Sequence, residues 1–305
     1  MSELLIGTGG WAYFQVPGSD SLEAYAQAFN FVELNSSYYE LPTLAAASAW
    51  RKKVPSNFSF AVRSPRILVD HYGLRLLPGS KILMDRLAEV CQTLEAKVMT
   101  VLIRNDSPVK QEELASRLEH FLESWKAEDA KLAIELRNIE CSGDVVDVMK
   151  EGGAVHAVDI SKGETPSYDS RILYSRLFGK GEANIYEFDD QELREITSKA
   201  SQPKFDRSIL AFHGVRMYRD AGRVKSFLEK GYFPRLTDGI GLDSVREVLR
   251  EDAKFPSSKA NLIRDHGWKV YQDTDEVKRV SSVLNRLPET QFQSLEDVMS
   301  KIPDN

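Results

Sequence analysis

Charged and strongly polar side chains stand at the ends of seven short apolar runs in this chain, where they could move protons and bind an anion. Glu33 and Asn35 close one run two residues apart, and Glu135 and Arg137 repeat that spacing in another. Residues two apart in a strand point to the same face, so each pair would meet one ligand. The remaining run ends carry Arg63 with Arg66 just beyond it, Arg104, Asp159, Arg176 and His213.

The arginines in this set favour an anionic ligand, with phosphate preferred. A guanidinium group presents a planar fork that fits phosphate or carboxylate. The arginines that outnumber the acids at these positions are Arg63, Arg104, Arg137 and Arg176. Glu33, Glu135 or Asp159 would act as general base, and His213 as acid or base.

Two other interpretations use the same residues. Glu33, Glu135 and Asp159 could be partners of the arginines in a structural ion-pair network, because buried charges need partners. Two or three of these carboxylates with His213 or His71 could instead bind a divalent metal ion that activates water. No HExxH motif supports a metal, so its identity stays unknown.

A glycine-rich turn follows the first apolar run. It reads Gly7-Thr8-Gly9-Gly10-Trp11-Ala12-Tyr13. Glycine permits positive φ and lets a ligand approach the backbone, so Gly9 is a candidate binding residue. Trp11, Tyr13 and Tyr38 could stack on a sugar or a base, or could simply pack around a tight turn.

The elements that must position these residues alternate along the chain. Eight short apolar runs rich in β-forming residues alternate with longer helical patterns, beginning at Leu4-Leu5-Ile6 and ending at Ile209-Leu210-Ala211-Phe212. This order predicts an α/β protein with a TIM-like (β/α)8 barrel, whose functional side chains lie at the carboxyl ends of the strands. The strand pattern stops near Gly231, and helical patterns follow. We therefore predict a barrel over residues 1–230 and a small all-helical C-terminal domain over 231–305.

Composition narrows the function classes. The 305 residues carry a net charge of -6, so nucleic-acid binding would have to be local rather than driven by an overall basic surface. The two cysteines form no zinc motif or disulfide framework. We find no secretory signal and no apolar run of membrane-spanning length, so we expect a cytoplasmic protein without a membrane partner.

Several motifs resemble a known family. They are Ile6-Gly7-Thr8-Gly9-Gly10-Trp11, Val32-Glu33-Leu34-Asn35-Ser36-Ser37-Tyr38-Tyr39, Phe60-Ala61-Val62-Arg63-Ser64-Pro65-Arg66 and Ala133-Ile134-Glu135-Leu136-Arg137. Together they resemble the domain of unknown function 72 family, the YecE-like proteins. The resemblance covers roughly Leu4 to Leu228 and implies a TIM-barrel-like fold, but no established activity.

Two departures from that family concern the site. The family usually has Gln where this chain has Arg104, and it usually reads Arg-x-His-Gly where this chain reads Arg176-Leu177-Phe178-Gly179. If that histidine is catalytic in the family, this chain has either lost it or uses His213 instead. The tail, from Phe255-Pro256 through Leu287-Pro288 and Phe292-Gln293-Ser294, is similar to a second family, domain of unknown function 2795. Such a module more often contacts a protein partner or packs on its own barrel than performs chemistry.

The sequence therefore predicts a hydrolase that acts on a phosphate-bearing substrate, with nucleic acid as the class to test first. A non-catalytic protein that binds nucleic acid or a nucleotide, with a partner-binding tail, is the alternative. A metabolic enzyme acting on a sugar phosphate is a third candidate, which the fold alone does not exclude.

Overall fold

The structure, a computed structural model, describes residues 3–127 and 129–303. Contacts divide the chain into two compact units. The first comprises the residues up to Leu177 together with Ser198–His213, and the second comprises Phe178–Thr197 and the residues from Gly214 onward.

The first unit contains a parallel sheet, which has eight strands within the described residues. In chain order they are β1 (Glu3–Thr8), β2 (Phe31–Leu34), β3 (Ser59–Arg63), β4 (Val98–Arg104), β5 (Lys131–Arg137), β6 (Val155–Ala157), β7 (Ile172–Leu177) and β8 (Arg207–Phe212). The hydrogen-bonded order is β6-β5-β4-β3-β2-β1-β8-β7. All eight predicted strands are thus confirmed, with ends that shift by one or two residues.

The sheet curls into a nearly closed barrel. Strands β6 and β7, the two ends of the order, meet through a single parallel bridge between Val158 and Ser175. Its two hydrogen bonds run from the Val158 amide to the Tyr174 carbonyl and from the Arg176 amide to the Val158 carbonyl, both at 3.1 Å. The predicted TIM-like barrel is therefore confirmed.

Helices connect the strands. They are α1 (Ser21–Ala28), α2 (Leu44–Lys53), α3 (Ile67–Asp70), α4 (Pro78–Leu94), α5 (Gln111–Glu123), α6 (Gly143–Glu151), α7 (Asp190–Ala200) and α8 (Met217–Lys230). Local sequence sets their starts: the Asp20 carboxylate accepts hydrogen bonds from the amides of Leu22 and Glu23, and Thr43 caps α2 through the amide of Ala46. Such caps satisfy amides that have no partner within the helix.

Small and large residues share the inside of the barrel. The buried inner cluster comprises Leu5, Phe31, Ala61, Val98, Ala133, Val155, Ala157, Tyr174, Ile209 and Ala211. The alanines leave room for the rings of Phe31 and Tyr174, which meet edge to face with centroids 6.3 Å apart. Gly7 permits a close approach of β1 to β2, since a Cβ there would lie 1.8 Å from the Phe31 carbonyl oxygen.

The C-terminal part of the second unit has its own core. Its elements are α9 (Leu242–Arg250), β9 (Ser257–Ser258), α10 (Lys259–His266), β10 (Val270–Gln272), β11 (Val277–Arg279), α11 (Val280–Leu284), β12 (Gln291–Phe292) and α12 (Leu295–Ser300). Val280, Leu284 and Leu287 are buried together in this core. The Ser294 hydroxyl caps α12 by accepting a hydrogen bond from the Asp297 amide at 3.1 Å.

The tail contains strands as well as the expected helices. Strand β10 pairs with β11 and β12 pairs with β9, both antiparallel. Runs of two or three residues are too short to display the alternation that identifies a strand in a sequence. Among the described residues, no helix combines the length and the hydropathy needed to cross a bilayer.

The second unit also buries an acid that lacks a strong ion pair. Asp220 in α8 is 1% exposed, and its Oδ1 lies 3.5 Å from Nη1 of Arg223. That guanidinium already donates to the Asp190 carboxylate and the Phe188 carbonyl. Burial, with the nearby negative charge of Glu187, raises the pKa of Asp220 to about 8 against the opposing effect of Arg223.

We expect Asp220→Asn to stabilise the protein. A carboxyl whose pKa is raised on folding binds its proton more tightly in the folded state, so the native protein loses stability as pH rises from 3.8 towards 8. The variant removes this penalty and should gain about 1–3 kcal/mol at pH 7, the cost of a poorly compensated buried group. Urea unfolding at a series of pH values measures the gain.

The exposed Asp243, whose side chain is 73% exposed, supplies the control. Asp243→Asn should change the free energy of unfolding by less than about 0.5 kcal/mol. A gain for Asp220→Asn that stays constant between pH 5 and pH 8 would contradict the raised pKa.

Candidate active site

A layer of ionisable side chains lies directly above the apolar inner cluster of the barrel. Each member lies two positions after a residue of the inner cluster. Because residues two apart in a strand point to the same face, its side chain also points into the barrel. The layer consists of Glu33 after Phe31, Arg63 after Ala61, Glu135 after Ala133, Arg176 after Tyr174 and His213 after Ala211. The strands therefore bring these five residues together at one end of the barrel, as the sequence predicts.

Arg176 lies at the centre of this layer. Its side chain is 2% exposed, and it donates to both carboxylate oxygens of Glu33, from Nη2 to Oε1 at 2.9 Å and from Nε to Oε2 at 3.1 Å. Its Nη1 donates to Glu135. One guanidinium therefore joins β7 to β2 and β5, and two carboxylates neutralise it.

Glu33 is held as a fully buried carboxylate. The Tyr174 hydroxyl donates to Oε2 at 2.6 Å, beside the two bonds from Arg176. Burial opposes ionisation, but the charges of Arg176 and His213 and these hydrogen bonds hold the pKa of Glu33 well below its usual range. A carboxylate stabilised in this way is a weak base, which favours a positioning role over direct proton abstraction.

Glu135 is engaged by two arginines. Besides Arg176, it accepts from Nε of Arg137 at 3.0 Å and from Nη2 of the same guanidinium. Burial raises its pKa, yet the charges of Arg176 and Arg137 dominate and leave the pKa below its ordinary value. Arg137 thus bends back onto the residue two positions earlier in its own strand.

His213 lies between Glu33 and the glycine-rich turn. Its Nε2 is 3.3 Å from Oε1 of Glu33, and its side chain is 4% exposed. Burial and the charge of Arg176 lower the pKa of His213, so the ring is neutral at pH 7. A Cβ at Gly9 would lie 2.3 Å from Nδ1 of this ring, so only glycine at position 9 leaves room for the imidazole.

Arg63 differs from Arg176 in its partners. Its Nη1 donates to Oδ1 of Asn35 at 2.6 Å, and its guanidinium lies over the Tyr38 ring, 3.6 Å from the centroid. Within the described residues it has no carboxylate oxygen within 4.0 Å, and its buried Nε has no hydrogen-bond partner. Burial and the charge of Arg176 lower the pKa of Arg63 to about 10, so it remains a cation at pH 7.

Arg104 is tied to the rim of the barrel. Its Nη1 donates to the Tyr38 hydroxyl at 2.8 Å, its Nε donates to Asp106 at 2.9 Å, and Asp70 lies 3.6 Å from Nη2. The hydrogen bond to Asp106 raises its pKa further. Two acids therefore offset the positive charge of Arg104, which makes it a support for Tyr38.

Two predicted residues, Asp159 and Trp11, have local partners, and a third, Tyr13, is exposed. The Asp159 carboxylate accepts from the amide and hydroxyl of Ser161 in the turn that follows, with Lys162 3.9 Å away. Trp11 meets Trp50 edge to face, with centroids 5.3 Å apart, which supports the packing interpretation. Tyr13 is 84% exposed.

The sequence places Tyr174 on the same strand face as Arg176 but gives its hydroxyl no role, and it offers Tyr39, like Tyr38, as a ring that could stack on a ligand or simply pack. In the structure the buried Tyr174 hydroxyl is the third donor to Glu33. Tyr39 is 74% exposed beside the Arg63–Tyr38 pair, and no spacing signal distinguishes it from Tyr38.

No metal centre is evident in the part of the chain that the structure describes. No group of three or more His, Cys, Asp or Glu side chains is arranged to hold an ion there. Glu33 and Glu135, which a metal would need, are bound by arginines.

Comparison with known proteins identifies the family. The profile described as "Protein of unknown function DUF72" matches residues 5–230. This chain belongs to the DUF72 family. The match ends at residue 230, and the resemblance of the tail to a second family stays a prediction.

Solved DUF72 structures share the fold. A DUF72 family protein of Enterococcus faecalis is 16% identical, with a TM-score of 0.57 over 75% of this chain and 98% of that chain. A DUF72 family protein of Thermotoga maritima is 18% identical, with a TM-score of 0.55 over 75% of this chain and 100% of that one. No protein with curated annotation matches the chain. At these identities the likeness concerns the fold alone.

We expect Glu33→Gln to destabilise this DUF72 protein by about 3–5 kcal/mol, because it removes the main countercharge of a buried arginine. The matched control is Glu113→Gln, which breaks an ion pair to Arg117 from a side chain that is 44% exposed. That change should cost no more than about 1 kcal/mol. If urea unfolding shows the same decrease in the free energy of unfolding for both variants, the buried Arg176–Glu33 pair contributes no more than an exposed ion pair.

Proposed function

We propose that this DUF72 barrel is a hydrolase of phosphate-bearing substrates, with Arg63 as the anion-binding residue and His213 as the proton-transfer residue. The observation that carries the proposal is the partly buried Arg63 guanidinium at the end of β3, which has no carboxylate partner among the described residues. The neighbouring strand β2 carries Glu33, whose carboxylate contacts the neutral His213.

Arg63 supports the anion-binding part. Burying a cation costs free energy unless a countercharge compensates it. Arg176, Arg137 and Arg104 have carboxylates, whereas Arg63 has only an amide oxygen and a ring face. A phosphate at Arg63 would supply the missing negative charge and accept bonds from the guanidinium fork.

His213 supports the proton-transfer part. A general base at neutral pH must be unprotonated and must become charged at an acceptable cost. The lowered pKa of His213 meets the first condition, and the Glu33 carboxylate 3.3 Å away meets the second by stabilising the imidazolium. In the proposed step a water oxygen bonds to phosphorus, the ester P–O bond breaks, His213 takes the proton of the water, and the leaving oxygen takes a proton from solvent.

The three predicted acids then have supporting roles. Glu33 orients His213, and Glu135 helps to neutralise Arg176. Asp159 orders the turn after β6. Because the two inner carboxylates are saturated by arginines, the proposal routes no step through a metal ion.

Arg63→Ala should weaken anion binding. Inorganic phosphate should raise the melting temperature of the wild-type protein in a concentration-dependent manner. Loss of one charged hydrogen-bonding partner should weaken the apparent affinity at least about tenfold, since bonds to charged groups contribute about 1.5–3 kcal/mol.

Arg86→Ala is the control for this experiment, because Arg86 lies on the surface of α4 and pairs only with Glu89 among the described residues. It should leave the phosphate response unchanged. The anion-binding proposal is wrong if phosphate causes no shift in the wild-type protein, or if both variants respond alike.

The His213 imidazole should titrate below pH 6.5, because burial and Arg176 disfavour its cation. Histidine NMR signals followed against pH, with His213→Asn to assign the resonance, measure this directly. Activity on a phosphate ester should fall with the same midpoint as pH decreases, since protonation removes the base. A midpoint above pH 6.5 would count against His213 as the base.

A non-catalytic protein that binds nucleic acid or a nucleotide is the second candidate. It is favoured by the occupation of Glu33 and Glu135 by arginines, which leaves few groups for chemistry. Affinity for phosphate ligands that falls with salt, without product formation, would select this candidate over the hydrolase.

A further inference from the structure

Two guanidinium groups flank a pair of tyrosine rings on one side of the candidate site. The Arg63 guanidinium lies 3.6 Å from the centroid of the Tyr38 ring. The Tyr38 and Tyr39 rings meet edge to face, with centroids 5.3 Å apart. The Arg66 guanidinium lies 5.9 Å from the centroid of Tyr39. We call these four residues the arginine–tyrosine row.

The row leads from the buried site to solvent. Arg63 and Tyr38 are partly buried, whereas Tyr39 is 74% exposed and Arg66 is exposed. One face of the Tyr38 ring is covered by Arg63, so the ring that offers a surface to a ligand is Tyr39. A ligand anchored at Arg63 would extend outward past Tyr39 towards Arg66.

Backbone contacts hold the two halves of the row together. Tyr38 and Tyr39 follow β2, and Arg63 and Arg66 lie at and after the end of β3. The Arg66 amide donates to the Tyr38 carbonyl at 2.9 Å. The Ser37 hydroxyl is 2.6 Å from both the Leu34 and the Arg63 carbonyl oxygens, which links the two strand ends. The row is therefore built into the framework rather than placed on a free loop.

Its charges remain uncompensated. Neither Arg63 nor Arg66 has a carboxylate oxygen within 4.0 Å in the described part of the chain, whereas the neighbouring Arg104 is offset by Asp106 and Asp70. The chain has a net charge of -6, yet the surface around Tyr39 is locally positive because neither arginine beside the two rings has a carboxylate partner in the described residues.

We infer that the arginine–tyrosine row binds single-stranded nucleic acid, with a phosphate at Arg63, a base stacked on Tyr39 and the next phosphate near Arg66. An exposed ring with a cation on either side matches a stacked base whose nucleotide has a phosphate on either side. Bases in a duplex are stacked on one another and cannot reach a ring on the protein, so the row favours unpaired strands. The inference rests on the proposed function, because it takes Arg63 as the anion-binding residue.

The test measures the fluorescence anisotropy of a labelled oligothymidylate that carries a 5′ phosphate. The full-length protein should bind this strand more tightly than a blunt duplex of the same length, and thymidine monophosphate should compete only at much higher concentration. Tyr39→Ala should weaken binding of the strand about tenfold, within the range found for loss of one stacked base. Tyr39→Phe keeps the ring and should bind like the wild type.

Tyr232→Ala is the matched control, since Tyr232 is 60% exposed and lies in the other unit. It should bind the strand like the wild type. The response of Tyr39→Ala to inorganic phosphate in the melting experiment should also be unchanged, because Arg63 is intact.

These results separate the inference from the proposed function. If phosphate protects the wild type but not Arg63→Ala, while Tyr39→Ala binds the strand normally, the row is not a strand-binding surface and the anion site stands. Equal affinity for the duplex, or for thymidine monophosphate, would likewise overturn the inference alone. If neither phosphate nor the strand binds, both proposals fail together.

Discussion

The ion pair between Arg176 and Glu33 constrains everything else in the candidate site. A guanidinium that is 2% exposed requires countercharges in place, and these come from two other strands. Glu33, Glu135 and Arg176 can meet only if β2, β5 and β7 are aligned in one register. The Tyr174 hydroxyl completes the coordination of Glu33, and the fixed carboxylate in turn orients His213. The geometry of the proposed chemistry is thus set before any ligand arrives.

Arginines in this protein fall into two groups with different consequences. Arg176, Arg137 and Arg104 are neutralised by neighbouring acids, so their charges fix side chains in position. Arg63 and Arg66 lack such partners in the described residues and are stabilised by tyrosine rings instead. A cation over a ring keeps most of its external field, whereas a cation in an ion pair loses it. This division explains how an acidic protein can offer a locally attractive surface to an anion.

Much of this arrangement follows from periodicity in the sequence. The alternation of apolar runs and helical stripes predicted all eight strands. Positions at the strand ends predicted that Glu33, Glu135, Arg176 and His213 would gather at one mouth of the barrel. A sequence does not state which side chains will pair, because partners come from strands far apart in the chain. Arg137 therefore turned out to contact Glu135, Asp159 binds its own turn, and Trp11 packs on Trp50. The four short strands of the tail carried too little pattern to be recognised.

The single bridge between Val158 and Ser175 gives the barrel one weak seam. Elsewhere neighbouring strands share longer ladders; β7 and β8 pair over six residues. The side chain of Arg176 spans the interior from β7 to β5 and so reinforces a wall whose backbone connection is sparse. If neighbouring strands of the barrel separate transiently, they should do so between β6 and β7. Movement of β7 would then carry the Arg176 guanidinium away from Glu33. Separation of these strands and loss of the ion pairs that Arg176 makes with Glu33 and Glu135 would then be one event. During that event large ligands or solvent could reach the buried interior of the barrel.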